Sequence, residues 1–565
     1  MAFGGLLLAS VGVTGASAYY AEGAAFDLRG AGAAALTRQT NLGELELAIQ
    51  SALEALEAAN DNLGFDLLEV KTFYAERGFA PAWIADGLFT EDARALMARV
   101  AAADADGLDP RAYRLPAPTF GTVGRPSLAQ VAAVEIQMSL AVAAYVREAY
   151  AGRLDPRSLD ANLDINVHLP DTTGALVAIL AADDPVQVLE SYNPQHPGYQ
   201  ALRQQLAMLR NAVPEERIVL PAGPTLRPGE LDDRVPLLRA RLDVTNPTTP
   251  EANPSLYDEV LVAAVRTFQS QVGLTVDGII GPNTLTALNG PNVDPVAEVI
   301  ANMERWRWLP RNLGEFHVMV NVPEYMVRIM EQGRVAHETR VVVGQVGHET
   351  PIFSDEIETI AVNPYWNVPE SIANNELLPQ IRSDPNYFVR NAFDIWVHVQ
   401  GQTYAVTPYQ VNWYAVQPGQ VTFRQRPGPA NALGQIKFLF PNSHNVYLHD
   451  TPSRSLFQRD ARAFSHGCIR VMNPLEFGDA LLAHQPNLTG ADIRALIGDA
   501  ERQVNLPVHI PVHITYFTAV VQNGELQFKP DVYGHSARVR DALNLGGGPV
   551  VTAATEPGAA GDLGP

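Results

Sequence analysis

Between residues 41 and 217 apolar positions recur every three or four residues in long Ala/Leu/Glu-rich runs, such as 45–59 and 131–151. Turns like Asp106-Gly107-Leu108-Asp109-Pro110 separate them. This period predicts amphipathic helices packed on one another. A Pro- and Gly-rich stretch, 220–229, reads as a linker. In the next block, 231–290, Val235, Leu238 and Leu242 share a helical face, and Leu261, Ala264, Val265, Phe268 and Val272 repeat the i, i+3, i+4, i+7 spacing. Pro282 suits the first turn of a third helix. After about Gly314 the period falls to 2, as in Phe316-His317-Val318-Met319-Val320-Asn321-Val322, and a β domain over 314–530 is predicted. Its strands are expected near 316–322, 325–329, 339–343, 357–362, 435–440, 445–448 and 512–521, with Asn523-Gly524 turning the chain into 525–528. Between about 369 and 430 the rhythm breaks around Tyr387, Phe388, Trp396, Tyr404, Tyr409, Trp413 and Tyr414, which marks an insertion. The Gly/Pro/Ala/Thr-rich tail, 546–565, has little to bury and is expected to be disordered. The fold class is therefore multidomain α+β: a helical domain over 41–217, a small three-helix module over 231–290, and a mainly-β domain with an insertion expected to cap its site.

Composition narrows the functions. Apolar residues make up 47% of the 565, a profile of several globular domains. The net charge of -22 would repel phosphate backbones, so no nucleic-acid partner is expected. Cys468 is the single cysteine, which excludes an intramolecular disulfide, a C-x-x-C zinc site and an iron–sulfur cluster. Residues 3–13 form an apolar stretch of signal-peptide length, and Ala16-Ser17-Ala18 has the small-x-small form of a cleavage site. Residues 1–18 are accordingly expected to be a signal peptide and the protein to be exported to the periplasm, although the first charge after Met1 is Glu22 and a basic n-region is missing. The stretch is shorter than the roughly twenty residues that span a bilayer, and no cysteine follows to take a lipid, so no stable membrane anchor is expected.

The chemistry concentrates in Tyr447-Leu448-His449-Asp450 and Ser465-His466-Gly467-Cys468-Ile469-Arg470. A thiol near two histidines is material for nucleophilic catalysis, because the thiolate is the reactive form and an ordinary cysteine, with a pKa of about 8.5, needs a base. Gly467 permits backbone angles closed to other residues and leaves nearby amides open to an oxyanion. Neighbouring strand residues face opposite ways, so a backbone carbonyl rather than the Asp450 carboxylate is expected to orient His449. A zinc site built from Cys468, His466, His449 and His444 would have only one thiolate, and no metal or other cofactor is expected. A papain-like or NlpC-type peptidase would place Cys before His in the chain; here His449 comes first.

Phe268, Gln269, Gly273, Leu274, Asp277, Gly278, Gly281, Thr284 and Leu288 resemble the signature of the three-helix peptidoglycan-binding module. His449 with Ser465-His466-Gly467-Cys468-x-Arg470 is similar to the active-site signature of the L,D-transpeptidases of the YkuD fold. Thr350-Pro351-x-Phe353-Ser354, Asn363-Pro364-x-Trp366-x-Val368-Pro369, Asn431-Ala432-Leu433-Gly434 and Thr451-Pro452 extend the likeness to the large Gram-negative subgroup typified by YcbB, which also carries a helical scaffold. Arg470 stands where many smaller members have Asn.

The resemblance implies acyl transfer between peptidoglycan stem peptides containing meso-diaminopimelate. Cys468 would be the nucleophile and His449 the base, with oxyanion stabilisation from the Gly467 and Cys468 amides. Ser465 and His466 would shape the site and Tyr447 border it, while Arg470 would hold either a substrate carboxylate or the loop itself. The acceptor stays open between a second diaminopimelate, giving a 3-3 cross-link, a free D-amino acid, water, or a lysine of an envelope protein. Outside transfer, the alternatives are an L,D-carboxypeptidase and a wall-binding protein without activity.

Overall fold

A computed structural model describes residues 43–59, 64–212, 218–245, 253–272, 274–289, 294–498 and 500–546. The expected signal peptide, 1–18, and all but the first residue of the expected tail lie outside the described residues. Among the described residues, seven helices of seven or more residues build the first region: Glu44–Ala58, Phe65–Glu76, Glu91–Ala101, Leu128–Ala151, Thr172–Ala181, Pro185–Ser191 and Pro197–Asn211. Side-chain oxygens of Thr90, Ser127, Asp171 and Asp184 cap four of them, satisfying amides that the first turn leaves open. By length and composition Leu128–Ala151 could cross a membrane, but here it is the central helix of the core, packing Ile136, Val142 and Val146 among Leu53, Phe73, Trp83 and Leu96.

The small module consists of Val235–Arg241, Glu259–Val272 and Pro282–Asn289 around Val235, Leu238, Leu261, Val265 and Leu288. Its motif has a structural cause. The buried Gln269 amide donates to Ile279 O (3.0 Å) and Asp277 Oδ1 (2.9 Å) and accepts from Gly278 N (2.8 Å), so one side chain holds the turn after its helix. That turn reaches the β domain, where Thr275 donates twice to Asp460 Oδ1, each at 2.8 Å.

A nine-stranded sheet forms the β domain, in the order Ala463–Ser465, Arg334–Gly344, Ile469–Val471, Leu448–His449, Ile436–Leu439, Ser354–Val362, Arg502–Thr515, Phe316–Asn321 and Met326–Glu331. Because Met326–Glu331 also pairs with Arg334–Gly344, the sheet closes on itself and few edges remain open. Alternate residues, among them Val318, Val320, Ile360, Ile436, Phe438, Leu448, Ile469 and Val471, fill its interior. Asn523 and Gly524, both at positive φ, make the expected two-residue hairpin between Ala519–Gln522 and Glu525–Phe528.

Several expectations are corrected. Arg502–Thr515 begins ten residues before the predicted strand; Pro507 and Pro511 hide it in the sequence, and a register shift between Asn505 and Ile510 accommodates the break. Of 445–448 only the end is strand, since Asn445 takes a positive φ that turns the chain. The insertion, read as a loss of strand rhythm, contains a sheet of its own: Trp366–Asn367, Val421–Gln425, Phe393–Val399 and Gln402–Val406. Phe388, Phe393, Trp413 and Phe423 fill its core, while Tyr404, Tyr409 and Tyr414 face outward.

Two connections have no signal in the sequence pattern. The helix Pro295–Trp308 is buried on all sides, and Trp306 stacks on Phe517 at 4.4 Å. An irregular stretch after Leu128–Ala151 lies along the β domain: Ile352 N donates to Asn162 O (2.7 Å), and Leu163 is packed inside the sheet's core.

Candidate active site

Three adjoining strands build the site. Leu448 pairs with Ile469 and His449 with Arg470 in parallel register, while Lys437 lies opposite His449 on the antiparallel neighbour. Since Phe438, Leu448 and Ile469 point into the core, alternation sends Lys437, Tyr447, His449, Cys468 and Arg470 to the other face. The sequence motif places two of these segments, and strand pairing brings the third beside them.

Cys468 is buried, and its thiol faces Asn445 O at 3.8 Å. Burial pushes its pKa up to about 11; the Tyr447 amide and hydroxyl, both facing the sulfur, and the charges of Arg470 and Lys437 oppose that rise. Tyr447 is drawn closer than the bordering position expected of it. Its ring packs against both the sheet core and the core of the insertion, and it meets the His449 ring edge-on at 5.6 Å.

His449 is fully buried, and its Nδ1 donates to the main-chain carbonyl of Asp450 at 2.5 Å. A carbonyl thus orients the ring, as expected, and leaves Nε2 as the basic nitrogen of the neutral imidazole. The Asp450 carboxylate is used elsewhere, accepting from Gln435 N (2.8 Å), Thr451 N (2.7 Å) and Arg454. Arg470 is fully buried beside the thiol, so its guanidinium belongs to the interior of the site.

The loop carrying the thiol is fixed from several sides. Gly467 has φ +109, and no side chain stands close enough to demand glycine there, so the backbone angle is the reason for the residue. Ser465 Oγ donates to Cys468 O (2.6 Å) and accepts from Gly467 N (3.3 Å). The Gly467 amide, expected to face an oxyanion, is therefore already engaged. Thr350 Oγ1 donates to Gly467 O (2.8 Å) and accepts from Gly344 N (2.8 Å), while the Tyr533 hydroxyl donates to Gly344 O (2.6 Å). A side chain at Gly344 would strike His348 O, so the close approach requires glycine. Thr350 had a motif to mark it; Tyr533 had none.

His466 meets the insertion and a neighbouring loop. Its Nε2 lies 2.6 Å from Glu376 of the insertion, and its ring packs on His348 at 4.6 Å. His444 pairs with Asp164 at 2.8 Å. Among the described residues no group of three or more His, Cys, Asp or Glu is arranged to hold a metal ion. A cavity of about 340 Å³ opens beside Tyr447, lined by Glu358, Thr359, Asn442 and Asn445.

Comparison with known families gives three matches along the chain. Residues 315–500 match the L,D-transpeptidase catalytic domain of YkuD type, 233–288 a family described as "Putative peptidoglycan binding domain", and 68–206 the scaffold domain. A Haemophilus influenzae protein named "Putative L,D-transpeptidase" is 32% identical over 243 residues, 42% of this chain and 48% of that protein. The chain therefore spans about half the length of that relative. Among solved structures, an L,D-transpeptidase from Mycobacterium smegmatis is 12% identical over 36% of this chain and 58% of that one, with a TM-score of 0.18. One from Xylanimonas cellulosilytica is 16% identical over 52% and 99%, with a TM-score of 0.15. Superpositions this loose say nothing about the site. The chain thus carries regions similar to an L,D-transpeptidase catalytic domain of YkuD type, to a scaffold domain and to a peptidoglycan-binding domain, and part of it is similar to a protein named as an L,D-transpeptidase.

Proposed function

We propose that this protein is an exported, periplasmic acyltransferase that forms 3-3 cross-links between peptidoglycan stem peptides. The observation that carries this reading is the common face of Cys468, Tyr447 and His449, with His449 Nδ1 engaged by a carbonyl so that Nε2 carries no proton. A thiol held near pKa 11 needs such a base. Nε2 takes the thiol proton as the sulfur attacks the carbonyl between meso-diaminopimelate and the terminal D-Ala. The C–N bond then breaks, and D-Ala leaves with that proton on its amine. The side-chain amine of a second diaminopimelate attacks the thioester, gives a proton to His449, and displaces the sulfur. The developing oxyanion is received chiefly by the Cys468 amide, because the Gly467 amide is already engaged by Ser465. Ser465 and Thr350 hold the loop, and Arg470 supports the thiolate electrostatically from the interior.

Mass spectrometry of muropeptides tests this reading, using purified protein and wall rich in tetrapeptide stems. Free D-Ala and 3-3 dimers are expected, and neither from Cys468→Ala. Tripeptide without dimers would instead identify a carboxypeptidase. A carbapenem, whose β-lactam carbonyl mimics the scissile amide, should add once to the wild-type protein; an adduct persisting in Cys468→Ala would overturn the assignment.

A further inference from the structure

Lys437 stands on the catalytic face without a counter-ion. Its neighbours Ile436 and Phe438 are fully buried in the sheet core, so its own side chain emerges on the side of Tyr447 and His449. Nζ lies 5.6 Å from the centre of the Tyr447 ring. Among the described residues it makes no ion pair and no side-chain hydrogen bond; Glu501 attracts it only from a distance, and the Glu501 carboxylate instead accepts from Tyr365 N at 3.2 Å. An ammonium drawn partly out of water with a ring face but no carboxylate in contact is costly to the fold, and a ligand's carboxylate would complete it. Burial moves its pKa below that of an ordinary lysine, whereas Glu501 and the Cys468 thiolate act to retain the charge.

The donor peptide brings the missing anion. If Cys468 attacks the carbonyl preceding the terminal D-Ala, the free carboxylate of that D-Ala is one residue away, within about 4 Å of chain length. The side-chain carboxylate of diaminopimelate hangs from the residue on the other side of the scissile bond. Arg470, the other cation acting on the thiol, is fully buried, whereas Lys437 is partly exposed. Building on the acyl-transfer reading, we propose that Lys437 is a specificity-determining residue that binds a carboxylate of the donor stem peptide next to the scissile bond, so that stems carrying that carboxylate are selected.

Acylation of Cys468, followed by intact mass, tests this with three donors: the tetrapeptide, its C-terminal carboxamide, and the tetrapeptide with lysine in place of diaminopimelate. A charge-assisted hydrogen bond corresponds to a preference of about ten- to a hundredfold. The wild type should prefer the free acid by that factor. Lys437→Met should lose the preference, mainly through KM, and Lys437→Arg should keep it. If the discrimination lost in Lys437→Met is that against the lysine analogue, the diaminopimelate carboxylate is the one bound, and carboxylate recognition by Lys437 stands. A folded Lys437→Met that keeps both discriminations overturns the proposal. So does one that slows all three donors equally while moving the thiol's pH profile, since Lys437 would then act on the sulfur. A wild-type protein acylated by none of the three overturns the acyl-transfer reading, and this proposal with it.

Discussion

Glu376, in the insertion, meets His466 Nε2 at 2.6 Å, and His466 stands two residues before Cys468. The insertion is thereby tied to the loop that bears Cys468. Tyr447 makes a second tie, since its ring packs against the cores of both the sheet and the insertion. On the acyl-transfer reading, an insertion held in this way would keep water from the thioester and favour attack by an amine. Glu376→Ala removes a partly buried carboxylate–imidazole contact worth about 1 kcal/mol, or roughly a fivefold change in equilibrium. It is expected to raise the ratio of hydrolysed tripeptide to 3-3 dimer by up to about that factor, measured by muropeptide chromatography. An unchanged ratio would mean that the segment docks substrate without excluding water.

The buried thiol predicts a pH dependence. With a pKa near 11, the resting thiolate is scarce at neutral pH, and its population rises roughly tenfold per pH unit until that value is reached. Alkylation of Cys468 by iodoacetamide should follow this slope between pH 7 and 10. In Tyr447→Phe, which removes the hydroxyl facing the sulfur, the profile should move to higher pH. A plateau near pH 8 would show that the sulfur is better stabilised than its surroundings imply.

His449 should matter for rate and little for folding. His449→Ala should slow acylation by about 10² to 10⁴, the usual effect of losing a general base, with a near-normal melting temperature. If His466→Ala were the variant that failed to acylate, the roles of the two histidines would be exchanged.

Leu163 comes from the helical region yet is buried in the core of the β domain. Leu163→Ala leaves a cavity there and should cost about 2–5 kcal/mol. Chemical denaturation followed by tryptophan fluorescence is the measurement, and a loss below about 1 kcal/mol would show that the contact is dispensable. The helical region would on this view complete the catalytic domain rather than hang beside it.

His513 provides a stability prediction. Nδ1 meets Ser354 Oγ (2.8 Å), Nε2 donates to Leu313 O (3.0 Å), and burial with two neighbouring histidines lowers its pKa to about 4. The folded ring stays neutral while the unfolded one takes a proton near pH 6.5. Its contribution is therefore complete above pH 6.5 and is lost as pH falls towards 4, amounting to about 3 kcal/mol. His513→Asn should flatten the fall in melting temperature across that window, and a slope equal to the wild type's would refute the prediction.

The sequence by itself determined whatever depends on near neighbours. The periods of 3.6 and 2 separated helical from sheet regions, Gln269 with Asp277-Gly278 marked a turn closed by its own side chains, and His449 with the Ser465–Arg470 segment marked the chemistry, because a cysteine, a base and a flexible glycine are legible wherever they stand close together. Tertiary structure decided what strand pairing and packing bring together from afar. Lys437 reaches the catalytic face only because Ile436–Leu439 pairs with Leu448–His449. Glu376 meets His466 only when the insertion folds back, and Tyr533 reaches Gly344 only from the far end of the chain. Leu163 fills a core that closes only when Met326–Glu331 pairs with Arg334–Gly344. Register and closure are set by the fit of the whole core, and no local pattern of residues carries that information.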